Sequence, residues 1–105
     1  MLVYKKKGFK TKDQQQKTKT PKQMERHLKG VANHWRIRIL FLVSEKEGIT
    51  LDKICEELKG NTKTISEHVK KLVLSGLVNK TRYGRCVHHS LSPYGKRFLK
   101  FIKSF

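Results

Sequence analysis

Two amphipathic segments separated by a short break constrain the fold of this chain more than any other feature. The first begins after Thr50, a residue that can cap a helix, and the second begins after Asn61 and extends to about Ser75. Lys59-Gly60 interrupts the helical pattern between them. Apolar residues recur at helical spacing in the first segment, at Leu51, Ile54, Cys55 and Leu58. The pattern predicts helix, short turn, helix, an arrangement that is used to bind DNA.

Two further helices are predicted before this pair. The first begins at about Met24, and the second extends from about Trp35 to Lys46, where Gly48 follows. The first has one apolar stripe at Met24, Leu28, Val31 and Ala32, and the second has another at Trp35, Ile39, Leu42 and Val43. Each helix is therefore expected to bury one face.

After Gly76 the pattern changes from helix to strand. Residues Leu77 to Tyr83 and Cys86 to Leu91 are short runs rich in Val, Tyr, Thr and His around a turn at Gly84. Ser92-Pro93 then predicts the start of a last helix, with Ser as N-cap and Pro at the first helical position. The predicted fold class is mainly α with a small β-hairpin, a winged helix-turn-helix in which helices, hairpin and helix follow in that order.

The charge of the chain is strongly positive, with 25 Lys and Arg against 8 Asp and Glu and a net charge of +17. Residues 1–22 contain eight Lys and one Asp, so they contribute +7 and the remainder contributes +10. Because residues 5–22 have Phe9 as their only large apolar residue, they are predicted to form a flexible basic arm. We expect a second unit, the folded domain, over residues 23–105.

A polyanion is the expected partner of such a chain, either nucleic acid or an acidic membrane surface. The sequence has no run of 18 apolar residues and no apolar signal-peptide core, so no membrane span or secretion is expected. A cytoplasmic protein, nucleoid-associated when bound to DNA, is the resulting expectation. Cys55 and Cys86 have no paired cysteine motif, which favours free thiols over a disulfide framework.

The second helix of the pair has a polar face that is mostly cationic or hydroxylic. We predict that Thr62, Lys63 and Ser66 contact bases and that Glu67 accepts from a cytosine amine. Phosphates are the predicted targets of Lys70 and Lys71, which lie further along the helix. The full predicted DNA-binding set adds Thr64 and the hairpin cations: Thr62, Lys63, Thr64, Ser66, Glu67, Lys70, Lys71, Lys80, Arg82 and Arg85. The alternative is that these side chains form only a solvated surface.

Metal binding and catalysis are not expected. His88 and His89 point to opposite faces of a strand, so they are predicted to be structural, and His27, His34 and His68 are scattered over the helices. Cys55 lies on an apolar stripe and is predicted to be a core residue, with a redox-sensing thiol as the alternative. The sequence has no Gly-rich phosphate loop and no nucleophile elbow, so neither enzyme activity nor a cofactor is predicted.

Three stretches resemble the ArsR-type transcriptional regulators, with the MarR-type winged helix as a near neighbour. GVANHWRIRIL, residues 30–40, places Arg36 and Arg38 at the two arginine positions of the family and His34 where proline is usual. LKGNTKTISEHVKKLVLSGLV, residues 58–78, and the hairpin at residues 80–91 are similar in order and spacing, with His88-His89 in place of an aromatic pair. The resemblance implies a DNA-binding repressor. The family's metal sites are not matched, because Cys55 has no neighbouring Cys and the last helix has no His, Asp or Glu.

A homodimer held by the first and last helices is also predicted, because their apolar residues exceed what a small domain can cover internally. The predicted interface consists of Met24, Leu28, Tyr94, Phe98, Phe101, Ile102 and Phe105. The alternative is that the stripe of the last helix packs on its own chain. A two-fold dimer would bind an inverted repeat.

The leading functional hypothesis is a sequence-specific regulator of transcription, a repressor that binds double-stranded DNA. A non-specific architectural DNA-binding protein or an RNA-binding protein is the alternative, which the lysine-rich arm would suit. A winged helix used only for protein interaction would not account for the high positive charge.

Overall fold

The computed structural model describes residues 19–105, so most of the predicted arm at 1–22 lies outside the described residues. Five helices and a three-stranded antiparallel sheet make up this part of the chain. In chain order they are α1 (Pro21–Val31), α2 (His34–Glu45), β1 (Ile49–Thr50), α3 (Leu51–Leu58), α4 (Thr62–Leu74), β2 (Val78–Tyr83), β3 (Cys86–Leu91) and α5 (Pro93–Ser104). The predicted fold class, a mainly α winged helix, is confirmed for these residues.

Helix α1 begins at Pro21, earlier than the predicted start at Met24. Thr20 and Gln23 form a capping box, in which Thr20 Oγ1 accepts from the Gln23 amide at 3.2 Å and the Thr20 amide donates to Gln23 Oε1 at 2.8 Å. Pro21 occupies a first-turn position where its missing N–H is not needed. The helix therefore includes Pro21 and Lys22, the last two residues of the predicted arm.

The helix-turn-helix is present as predicted. Thr50 caps α3, with its hydroxyl accepting from the Lys53 amide at 3.4 Å. Lys59 then adopts a left-handed conformation, with φ of 54°, and ends the helix. Asn61 Oδ1 accepts from the Thr64 amide at 3.1 Å and caps α4.

The sheet has the order β1-β3-β2, and its short strand β1 was not predicted. Ile49 and Thr50 pair with His89 and His88 of β3. The two histidines hold this pairing from both sides, because His88 Nδ1 donates to the Gly48 carbonyl at 2.6 Å and His89 Nδ1 donates to the Ile49 carbonyl at 3.0 Å. The structural role predicted for both histidines is confirmed.

The turn after α4 connects three elements. Leu77, predicted as the first residue of a strand, lies in this turn, and β2 begins at Val78. The Leu77 amide donates to the Leu72 carbonyl at 3.1 Å, and its carbonyl accepts from the Ser92 amide at 3.0 Å. Ser92 Oγ donates to the Gly76 carbonyl at 2.6 Å and accepts from the Gly95 amide at 3.0 Å, which caps α5. The end of α4, the base of the hairpin and the start of α5 are thus joined.

The core lies where α2, α3 and α4 meet the sheet. Its fully buried large side chains come from every one of these elements or the turns beside them: Ile39, Leu40, Val43, Ile54, Ile65, Leu72, Leu77 and Val78. Cys55 is buried with them, as predicted for a core residue. Helix α5 adds Leu99, which is 5% exposed and was not included in the predicted stripe.

Candidate nucleic-acid interface

Helix α4 divides into a buried and an exposed face. Ile65, Val69 and Leu72 are buried against the core, and this leaves the opposite side of the helix open to solvent. Of the predicted α4 contacts, only Ser66 is half-buried, and the exposed ones are Thr62, Lys63, Thr64, Glu67, Lys70 and Lys71. Thr62, Lys63 and Thr64 form the first turn after the Asn61 cap, where the positive end of the helix dipole lies.

The hairpin β2–β3 extends from the core as a wing. Lys80, Arg82 and Arg85 are all exposed along it or at its tip. Gly84 has a φ of +62° in the turn, a conformation that side chains rarely adopt, and a Cβ atom there would meet nothing. Tyr83 is 67% exposed and lies edge-on to the His88 ring, with the centroids 5.3 Å apart. Tyr83 was not among the predicted contacts, although an aromatic residue beside a wing tip is suited to pack on a sugar or base.

Few acidic groups oppose these cations. Among residues 19–105 the ion pairs are Lys29–Glu25, Lys46–Glu57 and Lys53–Glu56, all with exposed side chains. None of the six predicted cationic contacts on α4 and the wing takes part in them. Since α4 leads through a short turn into β2 and packs against it, the two cationic elements are structural neighbours. Their uncompensated charge produces a positive potential that attracts a polyanion.

The inner edge of α4 carries a contact that the sequence did not reveal. Arg36 Nε on α2 donates to His68 Nδ1 at 3.1 Å, across 32 residues of sequence. Burial lowers the pKa of His68 below its ordinary value of 6.5, and the positive charges of Arg36 and Lys71 act in the same direction. His68 is thus half-buried and hydrogen-bonded, and its partner was not predicted.

The first and last helices leave an apolar surface open. Met24 and Leu28 on α1 are exposed, as are Tyr94, Phe101 and Phe105 on α5, whereas Phe98 and Ile102 are partly buried against the core. A cavity of about 310 Å³ lies between the two helices, with Lys19 and Arg97 in its lining. His27 lies buried against the Tyr94 ring, and burial is the main cause that lowers its pKa. Five of the seven predicted interface residues line this cavity, and Phe105 packs on the Phe101 ring; the five are Met24, Leu28, Tyr94, Phe98 and Phe101.

Neither a metal site nor a membrane span is apparent in the described part of the chain. Within residues 19–105 no three His, Cys, Asp or Glu side chains converge in a way that could hold an ion. No helix in this range is long and apolar enough to cross a bilayer. Cys86 is exposed on β3 and Cys55 is buried, and both are free thiols.

A protein-family model matches the helix-turn-helix. Residues 34–80, a little under half of the chain, match the model described as bacterial regulatory protein, arsR family. This range extends from the start of α2 into β2 and includes all of α3 and α4. The predicted resemblance is confirmed. Among curated protein sequences, none is significantly similar to the chain.

Several solved structures share the fold. The homodimeric winged helix-turn-helix DNA-binding domain of a Mycobacterium bovis protein has a TM-score of 0.72 and 24% identity, over 79% of this chain and 77% of the other. HlyU from Vibrio cholerae has a TM-score of 0.72 and 23% identity, over 81% and 92%. The transcriptional regulator HlyU from Vibrio vulnificus has a TM-score of 0.67 and 26% identity, over 89% and 94%. The shared fold therefore covers more of the chain than the residues 34–80 that match the family model.

Proposed function

Because residues 34–80 form an ArsR-type helix-turn-helix within a winged-helix fold, we propose that the chain is a transcriptional regulator that binds specific double-stranded DNA. One observation carries the proposal: the exposed face of α4 consists of hydroxyl, cationic and one carboxylate group, and none of its lysines is paired with an acid among residues 19–105. The function requires no catalytic group, and we propose no cofactor or resident metal ion for it.

The first turn of α4 would read the bases. Thr62, Lys63 and Ser66 lie at or just after the capped end of the helix, the part that enters a major groove in helix-turn-helix complexes. Glu67 would accept from a cytosine amine, and Thr64 would bind a sugar or phosphate oxygen. Lys70 and Lys71, further along the helix, would bind phosphates on the flanks of the groove.

The wing would add contacts outside the major groove. Lys80, Arg82 and Arg85 are long, exposed cations on a narrow hairpin, a shape that suits phosphate contact or insertion of an arginine into a minor groove. Such contacts raise affinity for any duplex more than they raise specificity.

We propose that the regulator binds as a homodimer through α1 and α5 and acts as a repressor. Support comes from the apolar surface formed by Met24, Leu28, Tyr94, Phe101 and Phe105, with Phe98 and Ile102 at its inner edge. The solved Mycobacterium bovis domain of the same fold is itself homodimeric. A two-fold arrangement would place two copies of α4 about one DNA turn apart, so an inverted repeat is the expected operator.

Non-specific DNA or RNA binding is the second candidate. The net charge of +17 and the basic segment before α1 favour it, because charge alone gives affinity without sequence preference. Non-specific binding would not require Lys63 or Ser66 to contact a base.

Selection of bound duplexes from a random DNA pool tests the proposal. We expect recovery of an inverted repeat, followed by tighter binding to that duplex than to random duplex or structured RNA at one fixed salt concentration. Recovery of no common sequence, with equal affinity for random duplex and RNA, would instead support the second candidate.

A further inference from the structure

One guanidinium group connects three helices. Arg36, in the first turn of α2, has its Nη1 donating to the carbonyl oxygens of Lys29 at 3.1 Å and Gly30 at 3.3 Å, at the end of α1. Its Nε donates to His68 Nδ1 on α4 at 3.1 Å. Arg36 and its bonds to Gly30 and His68 are partly buried, which limits competition by water for these two bonds, whereas the bond to Lys29 is exposed. Arg36 thus connects α4 to α1 and α2 by hydrogen bonds, in addition to the core contacts of α4.

The bond to α4 exists in only one protonation state of His68. An arginine has donors and no acceptor, so His68 Nδ1 must offer a lone pair and the ring proton must be on Nε2. A protonated imidazole carries N–H groups at both positions. The Nε–H of Arg36 would then face another N–H, and two positive charges would lie in hydrogen-bond proximity. Protonation therefore replaces an attraction with a repulsion.

The charged groups around His68 strengthen this effect. From α2, Arg36 and His34 act on the ring, and from α4 itself Lys71 opposes a proton while Glu67 favours one. From α1, Arg26 and Lys29 border the concavity that also contains Arg36 and Lys71. The charged side chains of α3 point into solvent and are not among the groups that shift the ring: Asp52, Lys53, Glu56 and Glu57. Cations thus dominate the surroundings.

We propose that Arg36 is a positioning residue for the DNA-reading helix: it adjusts α4 against α1 and α2 through neutral His68, and protonation of His68 breaks this bond, shifts α4 slightly and weakens sequence-specific binding. The consequence for DNA rests on the function proposed above. A base contact tolerates little displacement, so a small movement of α4 reduces discrimination between sequences before it reduces attraction to phosphate.

Two arginine variants separate the effect of the hydrogen bond to His68 from the effect of removing one positive charge. Arg36→Gln removes the bond to His68, and Arg38→Gln removes the same charge from an exposed residue of the same helix, which stacks on Trp35. His68→Asn keeps an acceptor close to the place of Nδ1 but does not titrate. Arg36→Lys serves if Arg36→Gln does not fold, because it retains the charge without the planar fork. Thermal unfolding shows which variants are folded.

Affinities for the selected duplex and for a random duplex are then measured at about pH 7.5 and about pH 4.5, well below the ordinary titration of histidine, because the pKa of His68 is lowered. We expect Arg36→Gln to lower affinity for the selected duplex by about tenfold more than Arg38→Gln does, comparable with the removal of one base interaction. Wild-type protein should lose preference for the selected duplex at the lower pH, and His68→Asn should retain it at both. Equal effects of the two arginine variants, or equal acid sensitivity of wild type and His68→Asn, would overturn the proposal.

A measurement without DNA separates this inference from the proposed function. Imidazole nitrogen NMR of the full chain should show His68 as the Nε2–H tautomer in wild type, and in Arg36→Gln a mixed tautomer that protonates at higher pH. Unchanged His68 signals would overturn the inference even if the DNA selection succeeds. A selection that recovers no sequence overturns the proposed function, and the His68 signals still decide whether Arg36 holds the ring.

Discussion

Gly30 of α1 lies directly against the Cβ and Oγ atoms of Ser75, the residue that ends α4. A Cβ atom at position 30 would overlap both atoms, so the close crossing of α1 and α4 requires glycine there. The crossing places the Gly30 carbonyl where Arg36 binds it.

Gly30→Ala should therefore destabilise the domain by about 1–3 kcal/mol, the usual cost of overpacking a tight contact. In an unobstructed helix the same change would be stabilising by roughly 0.5–1 kcal/mol. Chemical denaturation measures the difference, and Ser75→Gly provides the control because it removes both obstructing atoms. If Gly30→Ala costs as much in the Ser75→Gly background as in wild type, the crowding is not the cause.

Lys63→Ala and Ser66→Ala should each lower affinity for the selected operator by roughly 1–3 kcal/mol, because each would remove a proposed hydrogen bond to a base, with a smaller effect on random duplex. Lys70→Ala is the matched control, since removing a bond to phosphate should weaken both duplexes similarly. Titrations of both duplexes under one buffer give the comparison. A uniform decrease with all three variants would mean that α4 does not read sequence.

Deletion of residues 1–18 removes six Lys and one Asp and leaves the Thr20 cap of α1 intact. The composition of this segment predicts charge without fixed geometry, so its removal should reduce affinity for random duplex and the salt dependence of binding. The slope of log affinity against log salt should become shallower by about 0.9 for each phosphate that the shortened chain no longer neutralises. An unchanged slope would show that the segment does not touch DNA.

Phe101→Asp should convert the proposed dimer to a monomer. Phe101 is 54% exposed on the open surface of α5, whereas Phe98 packs on the core of its own chain, so the former tests association with less damage to folding. Leu74→Asp is the control, because Leu74 is 70% exposed on α4, outside the predicted interface. Sedimentation at micromolar concentration distinguishes the states, and a monomeric wild type would contradict the proposed dimer.

Acid should destabilise the domain through His89 as well as through His68. Burial lowers the pKa of His89 below its ordinary value of 6.5, the bond to the Ile49 carbonyl opposes that shift, and Lys80 adds to it. As the pH falls, His89 is therefore protonated in the unfolded chain before it is protonated in the folded domain. The free energy of unfolding decreases as the pH drops below about 6.5, and it levels off below the pKa of His89 in the folded state.

His89→Asn tests this, because its side-chain amide can still donate to Ile49 but does not titrate. Unfolding in urea across this pH range should show a weaker pH dependence than in wild type. His34→Asn, at an exposed position, should change that dependence less. Parallel pH curves for wild type and His89→Asn would exclude the effect.

Helix caps explain why so much of the fold could be predicted from the sequence. Thr50, Asn61 and Ser92 are each predicted to begin a helix, and each accepts from an amide within the following turn. These bonds join residues three apart, so the local sequence contains all the information that they require. The wing follows similarly from a change of period and one turn.

The parts that could not be predicted depend on long-range contacts. Strand β1 has two residues, too few for any periodicity, and exists because β3 pairs with it. Arg36 and His68 are polar residues on two separate helices, and only the packing of α2 on α4 brings them together. Along α5, Leu99 is buried and Phe101 is exposed, a difference set by neighbours rather than by hydrophobicity.

Ser92 joins helix α5 to the base of the wing through hydrogen bonds. Its backbone and hydroxyl bind Leu77 and Gly76 on one side and the first turn of α5 on the other. We therefore expect a rotation of α5 to be transmitted to the base of the wing. In the proposed dimer, the angle between the two subunits would set the distance between the two wing tips. Binding to DNA with a different groove spacing would then change the contact between the subunits. Ser92 would then be a direct connection between the subunit contact and the DNA-binding wing.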